Sequence, residues 1–530
     1  MSLLSRISPL LSGLVLLYGC PSSGAGDGGP PDGPGLTMDA AAATDAGTAM
    51  DTGAMMDAEA AMDAVPADAG FNPDAEEDAA VIPDASDAGF ADAAPEDAGV
   101  FRTQFQVVIG NQQACALFED GRVKCWGFVL AAAPMGGSHG AMPNTMGQNL
   151  PFLDFGEPVR HLTTTENLTC AILQSGSVRC FGDSTYAEAG YRGDATLRGA
   201  QTPLVGLSRT ATAVALGWVH GCALLDDHSV VCWGGDTNGQ LGTGNPMVTT
   251  STAPHLIDLG TGVRALEISS QGYFACALLE DHRVKCWGSN GNSASDVSGI
   301  GGNLGTGDAR ARGNNPGEMG DNLARIDFGT NPATTQPWQV KHVYTGSIRT
   351  CVILENDQVK CIGRNDGSPD TLGTGNIINY GMTPQTLGDA IPFVDLGTNP
   401  VTTQPWVVVA LGLADNVSCA LLENGRLKCW GGNALGGLGL GVTRTTIGDA
   451  PGEMGDALPF LDLGTDPMTG QAWQVLSITG GKYSLCARLA RNNVKCWGYN
   501  SVGQLGLGDT QNRGDMDNQM GDALPVLQLE

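Results

Sequence analysis

One thirteen-residue segment recurs seven times in this chain of 530 residues, and that recurrence restricts the possible folds more than any other feature. The copies are CALFEDGRVKCWG, CAILQSGSVRCFG, CALLDDHSVVCWG, CALLEDHRVKCWG, CVILENDQVKCIG, CALLENGRLKCWG and CARLARNNVKCWG. They open at Cys115, Cys170, Cys222, Cys276, Cys351, Cys419 and Cys486. Ten positions later each has a second cysteine: Cys125, Cys180, Cys232, Cys286, Cys361, Cys429 and Cys496. Seven pairs leave Cys20 as the odd one among 15 cysteines.

The even spacing fixes a hairpin register. If the paired cysteines face each other, Leu117 faces Val123, Phe118 faces Arg122, and Glu119-Asp120-Gly121 forms the loop. Such loops end on a residue with φ above zero. The residues at that position are Gly121, Gly176, His228, His282, Asp357, Gly425 and Asn492, all types that tolerate the left-handed region. Alternation puts Cys115, Leu117, Val123 and Cys125 on one face, with the cysteines at a non-hydrogen-bonded pair, where backbones approach closely. Two states are open to the thiols: seven disulfides, the reading adopted, or seven pairs of buried free thiols. The spacing matches no zinc motif.

Further strand-like runs flank the hairpin. LPFLDLG (458–464), WQVLSIT (473–479), SLCARLA (484–490) and NVKCWG (493–498) give four per unit, and IPFVDLG, WVVVALG, SCALLEN and RLKCWGG repeat the series. The expected fold is all-β, a seven-bladed β-propeller with four-stranded blades. The chain ends in LPVLQLE (524–530) and its repeat region opens with FQVVIG (105–110). Pairing of these N- and C-terminal strands is expected to close the ring and remove an exposed edge.

The pattern CALxxxGxVxCWG followed by NxxGQLGxG resembles the repeat of the regulator of chromosome condensation family, a seven-bladed propeller. The trailing element stands at Asp236 to Gly244 and at Asn500 to Gly508. Phe181 and Ile362 replace the repeat tryptophan, and the histidine before the first cysteine survives only as His220. The resemblance implies the fold. The family's nucleotide exchange on a small GTPase and its chromatin binding do not carry over, because no residue matches an exchange site and function is not fixed by fold.

The rest of the chain has another character. Residues 1–20, MSLLSRISPLLSGLVLLYGC, carry one charge, Arg6, before a short apolar run, as in an export signal. Leu17, Gly19 and Cys20 resemble the lipobox of bacterial lipoproteins, which implies lipidation at Cys20; an ordinary secretory signal is the alternative. Residues 21–100 hold 14 Asp, 4 Glu and 23 Ala without Lys or Arg, the composition of a disordered tether. The propeller is assigned to 101–530, where 38 acidic and 26 basic residues leave a net charge of −12. That balance disfavours a phosphate backbone as partner, and no apolar run is long enough to span a bilayer.

Searches for chemistry return little. Gly136 to Gly140 spells GGSHG, matching GxSxG, but no strand-to-helix turn surrounds it. His139, His161, His255 and His342 are scattered, and EDGRVKCW lacks the spacing of a sialidase Asp box. Asp509, Asp515, Asp517 and Asp522 cluster without the pattern of a calcium loop. The RGD tripeptides at 192–194 and 513–515 are expected by chance in Gly/Asp-rich loops. Trp338, Trp406 and Trp473 read as strand-entry packing rather than exposed binding aromatics. Connections 128–146, 289–320, 364–388 and 432–455 vary most and are expected on one face, the best position for a binding site.

The expectation is therefore an exported, monomeric propeller without cofactor or metal. A lipid anchor would hold it at the bacterial cell envelope, in the outer membrane or at the cell surface; without the anchor it would be periplasmic or secreted. It would present loops to a protein or glycan partner without catalysis. Alternatives are an enzyme inhibitor, since a secreted bacterial β-lactamase inhibitor has a similar propeller, and a carbohydrate-active enzyme.

Overall fold

The computed structural model describes residues 104–530 apart from 129–138, 167, 183–189, 191–198, 292–300, 367–371 and 442–445. The export signal with Cys20, the acidic tether, Gly136 to Ser138 and the tripeptide at 192–194 lie outside the described residues. No helix among the described residues is long and apolar enough to cross a membrane.

Seven antiparallel sheets of three or four strands follow one another along the chain, an all-β arrangement consistent with a seven-bladed propeller. The first sheet shows the plan. Its strands are Gln106–Ile109, Gln113–Leu117 and Val123–Gly127, with a short fourth at Phe152–Leu153. The second and third strands are buried along their whole length, because neighbouring sheets cover both faces. Cys115 pairs with Cys125 and Leu117 with Val123, the register expected from the spacing. All seven loop residues expected to be left-handed have positive φ, from 57° at Asn492 to 82° at Gly176. All seven cysteine pairs are disulfide-bonded, with Cα atoms 4.0–4.1 Å apart.

Blade boundaries differ from the sequence expectation. The LPFLDLG segments complete the sheet before them, not the one after. Leu461 N donates to Leu427 O at 2.8 Å, and Phe460 bridges Lys428 of that same preceding sheet. The C-terminal segment follows the rule: Leu527 N donates to Val494 O at 2.9 Å, within the last sheet. It therefore does not supply a strand to the first sheet, which already has Phe152–Leu153 against Val123 and Lys124. The outer segments make so few ladder bonds that several sheets count three strands rather than four.

A repeated set of side-chain bonds joins consecutive sheets. Lys285, fully buried, donates from Nζ to Leu259 O of the preceding sheet at 2.7 Å and to Gly320 O of its own at 2.9 Å. Lys428 does the same to Leu396 O and Gly455 O, and Lys495 to Leu463 O and Gly521 O. The repeat tryptophans add a second tie: Trp287 Nε1 donates to Gln240 O and Trp497 Nε1 to Gly437 O. Each reaches the Gly-rich turn of the sheet before.

The first and last sheets meet through the same groups. Lys124 Nζ donates to Leu529 O at 2.7 Å, Trp126 Nε1 to Gln504 O at 2.9 Å, and Gly147 N to Gln528 O at 2.9 Å. Val107, Trp126 and Leu150 pack in one apolar cluster with Val494, Leu505 and Leu527.

Candidate functional site

The first strand of every sheet lines one central cavity of about 270 Å³. Its wall is uneven. Ala213 and Ala215 present small side chains to it, whereas Glu267 and Tyr344 fill the fourth and fifth sectors, with His342 against Glu267. His342 Nδ1 lies 3.2 Å from Glu267 Oε2, and Val343 N donates to Glu267 Oε1 at 3.3 Å. Burial pushes the Glu267 carboxyl up, with the His342 contact opposing it. Gln106 is tied to the backbone of Leu162 in the next sheet, and Ser269 Oγ to Thr345 Oγ1 at 2.9 Å. These polar groups therefore fasten neighbouring first strands to each other.

At one mouth of the channel the first strand turns into the second. The turn residue four positions before the first cysteine is Asn111, Glu166, Trp218, Gly272, Ser347, Asp415 or Lys482 in successive sheets. Backbone bonds link several of these turns: Asn111 N to Glu166 O, Trp218 N to Gly272 O, and Asp415 N to Lys482 O. The backbone frame is thus shared, and the side chains on it are all different.

Lys482 of the seventh sheet reaches across the mouth. Its ammonium pairs with Glu166 of the second sheet and lies 4.9 Å from the centre of the Trp218 ring in the third. Burial alone would lower this amine, but the Glu166 carboxylate outweighs it and holds it above its ordinary value. Glu166 also accepts from Asn111 Nδ2 at 3.3 Å. Beside this bar stand two aromatic pairs, Trp218 with Tyr273 at 5.1 Å and Tyr483 with Tyr499 at 6.2 Å, each edge-to-face. All four rings are half-buried.

Behind the bar lies a buried charged group. Arg349 is fully enclosed and donates to Asp415 O, Ala414 O and Val417 O at 2.6–2.7 Å. Burial pushes the Arg349 guanidinium down to about 10. Burial likewise pushes the Asp415 carboxyl up to about 7, against the attraction of Lys482 and Arg349. Among the described residues, Asp415 Oδ1 has no hydrogen-bond partner.

The long connections leave the third strands beside this mouth. Gly127 stands opposite Gln113 and Gly363 opposite Arg349, so these third strands end next to the turn residues. Other residues singled out from sequence have structural roles. Trp338, Trp406 and Trp473 are buried, the first two edge-on to Phe393 and Phe460. His228 and His282 close hairpin loops, their Nδ1 atoms 3.0 and 3.3 Å from the Ala265 and Val340 carbonyls. His139 Nδ1 lies 3.3 Å from Thr145 O. Asp509 is ion-paired with Arg513, the arginine of the second RGD, at 2.5 Å, and Asp522 accepts from Thr465 N at 2.6 Å. Among the described residues no three His, Cys, Asp or Glu side chains gather as a metal site.

Sequence reasoning did not find the mouth residues or the buried lysines. The lysines occupy one column of the repeat, filled by Lys124, Lys285, Lys360, Lys428 and Lys495, with Arg179 and Val231 in the other two copies. A cation in six of seven copies of a two-sided buried strand was the available signal.

The sheets, their hairpins and the tryptophan ties define an RCC1-like propeller domain. The regulator of chromosome condensation (RCC1) repeat profile matches residues 211–240 and 268–293, which fall in the third and fourth sheets. The human and mouse E3 ubiquitin-protein ligase HERC2 are each 29% identical over 155 residues, which is 29% of this chain and 3% of theirs. The match thus spans a small fraction of those relatives. Human WBSCR16 superposes over 72% of this chain and 85% of its own, at 15% identity and a TM-score of 0.49. Yeast RCC1 (Prp20), solved with Kap60, covers 80% and 88%, at 13% identity and 0.49.

Proposed function

We propose that this protein is a non-catalytic recognition scaffold, a closed seven-bladed ring that presents its mouth-side face to a macromolecular partner. The observation that carries this reading is the mouth itself. Equivalent turns on a common backbone frame bear unlike side chains, among them half-buried Trp218, Tyr273, Tyr483 and Tyr499 around Lys482. Aromatic and cationic side chains dominate the energetic centres of protein interfaces. Seven disulfides support an extracellular or otherwise oxidising compartment. Export, acylation of Cys20 and an acidic spacer over 21–100 belong to the same proposal and would hold the ring away from a bacterial membrane. An intact mass of the mature protein tests the anchor, which an unacylated N-terminus would eliminate.

The test of the scaffold is capture from envelope extract with the full chain as bait. A stoichiometric partner is expected, lost when Trp218 and Tyr273 are both changed to Ala. Recovery of the same partner by that variant would reject the mouth as the recognition surface. Turnover of an envelope glycan by the purified chain would reject the non-catalytic reading.

A further inference from the structure

A groove of about 1030 Å³ lies between the sixth and seventh sheets, away from the channel. Its apolar lining includes Leu440, Ile447, Pro451, Phe460 and Met520, and Met516 stands at its lip with 62% of its surface exposed. Among the described residues, the charged ones that line it are Glu453, Asp462 and Asp517. Nearby cations among the described residues already have partners. Arg426 packs over the ring of Phe460 at 4.3 Å, and the Lys428 and Lys495 ammonium groups are bound to backbone carbonyls.

We infer that this groove docks a short peptide segment of a partner, with one large apolar side chain inserted and Lys or Arg beside it. The volume is of the size that holds a ligand's anchoring groups. The acidic lining selects a basic flank, in keeping with the net charge of −12 over 101–530. Met516 supplies an adaptable lip, since an unbranched thioether conforms to varied side chains. The equivalent hollow between the third and fourth sheets, about 810 Å³, has Leu256 where Phe460 stands, and Leu256 is 68% exposed. The apolar floor is therefore better developed at the later seam.

The inference rests on the scaffold reading and names the partner chemistry at one place on it. The probe is a phage-displayed library of random decapeptides panned on the full-length protein. Enriched sequences are expected to carry Phe, Leu or Met within two residues of Lys or Arg. A fluorescein-labelled representative should lose at least about tenfold in affinity on Met516→Lys/Asp517→Lys, and none on Trp218→Ala. Both groove positions are exposed, so near-ultraviolet circular dichroism should show an unchanged fold. No enrichment, enrichment of acidic sequences, or binding that survives the double variant would overturn the inference. An envelope partner lost on Trp218→Ala/Tyr273→Ala, with no peptide enriched, would sink the groove and leave the scaffold standing.

Discussion

The seams between sheets and the mouth of the channel are built from the same repeat, and they treat it oppositely. At the seams one solution recurs: a buried lysine clasping two carbonyls and an indole donating to the previous turn, as in Lys285 with Trp287 and Lys495 with Trp497. At the mouth, no residue recurs among Asn111, Glu166, Trp218, Gly272, Ser347, Asp415 and Lys482. Recurrence marks what most sheets do to hold their neighbours. Divergence marks positions freed from that duty, where a surface specific to this molecule can be assembled.

The comparison is most easily broken at a seam. Lys428→Met leaves the carbonyls of Leu396 and Gly455 buried without a donor and should cost about 2–5 kcal/mol in urea unfolding. An unchanged midpoint would show that the clasp holds nothing. Next comes the acid behind the mouth. Native Asp415 keeps its proton up to about pH 7, whereas the unfolded chain releases it near 3.8. Between those values the folded state binds more protons, so raising the pH destabilises it by roughly 1 kcal/mol per pH unit. Asp415→Asn should flatten that slope in denaturation curves taken from pH 4 to 8, and a slope that persists would assign it elsewhere.

Removing one staple, Cys419→Ala/Cys429→Ala, should cost about 2–3 kcal/mol, as expected for a loop this short. The smallest effect on stability is expected at the mouth. Lys482→Met gives up a half-buried pair with Glu166 and should shift unfolding by less than about 1 kcal/mol while abolishing partner capture. A large loss of stability there would erase the distinction between seam and mouth.

Much of the hairpin was legible from sequence because its constraints are local. Cysteine spacing set the register, and the restricted residue types at positions such as His228 and Asn492 reported a positive φ independently. The assignment of LPFLDLG failed for a physical reason. A segment between two hairpins can hydrogen-bond to either, and proximity in sequence does not say which, so Leu461 was grouped with the wrong sheet. The lysine column was passed over because an isolated lysine reads as solvent-exposed, although Lys285 is wholly enclosed. The mouth escaped because a search for recurrence is blind to positions whose character is to differ.

Each disulfide closes a loop inside a single sheet, joining residues ten apart, and none among the described residues stitches one sheet to another. Pulled by its ends, such a molecule would come apart like pages from an unsewn binding, sheet by sheet. Every page would keep its own knot and withhold part of its length from the stretch until a reductant cut it.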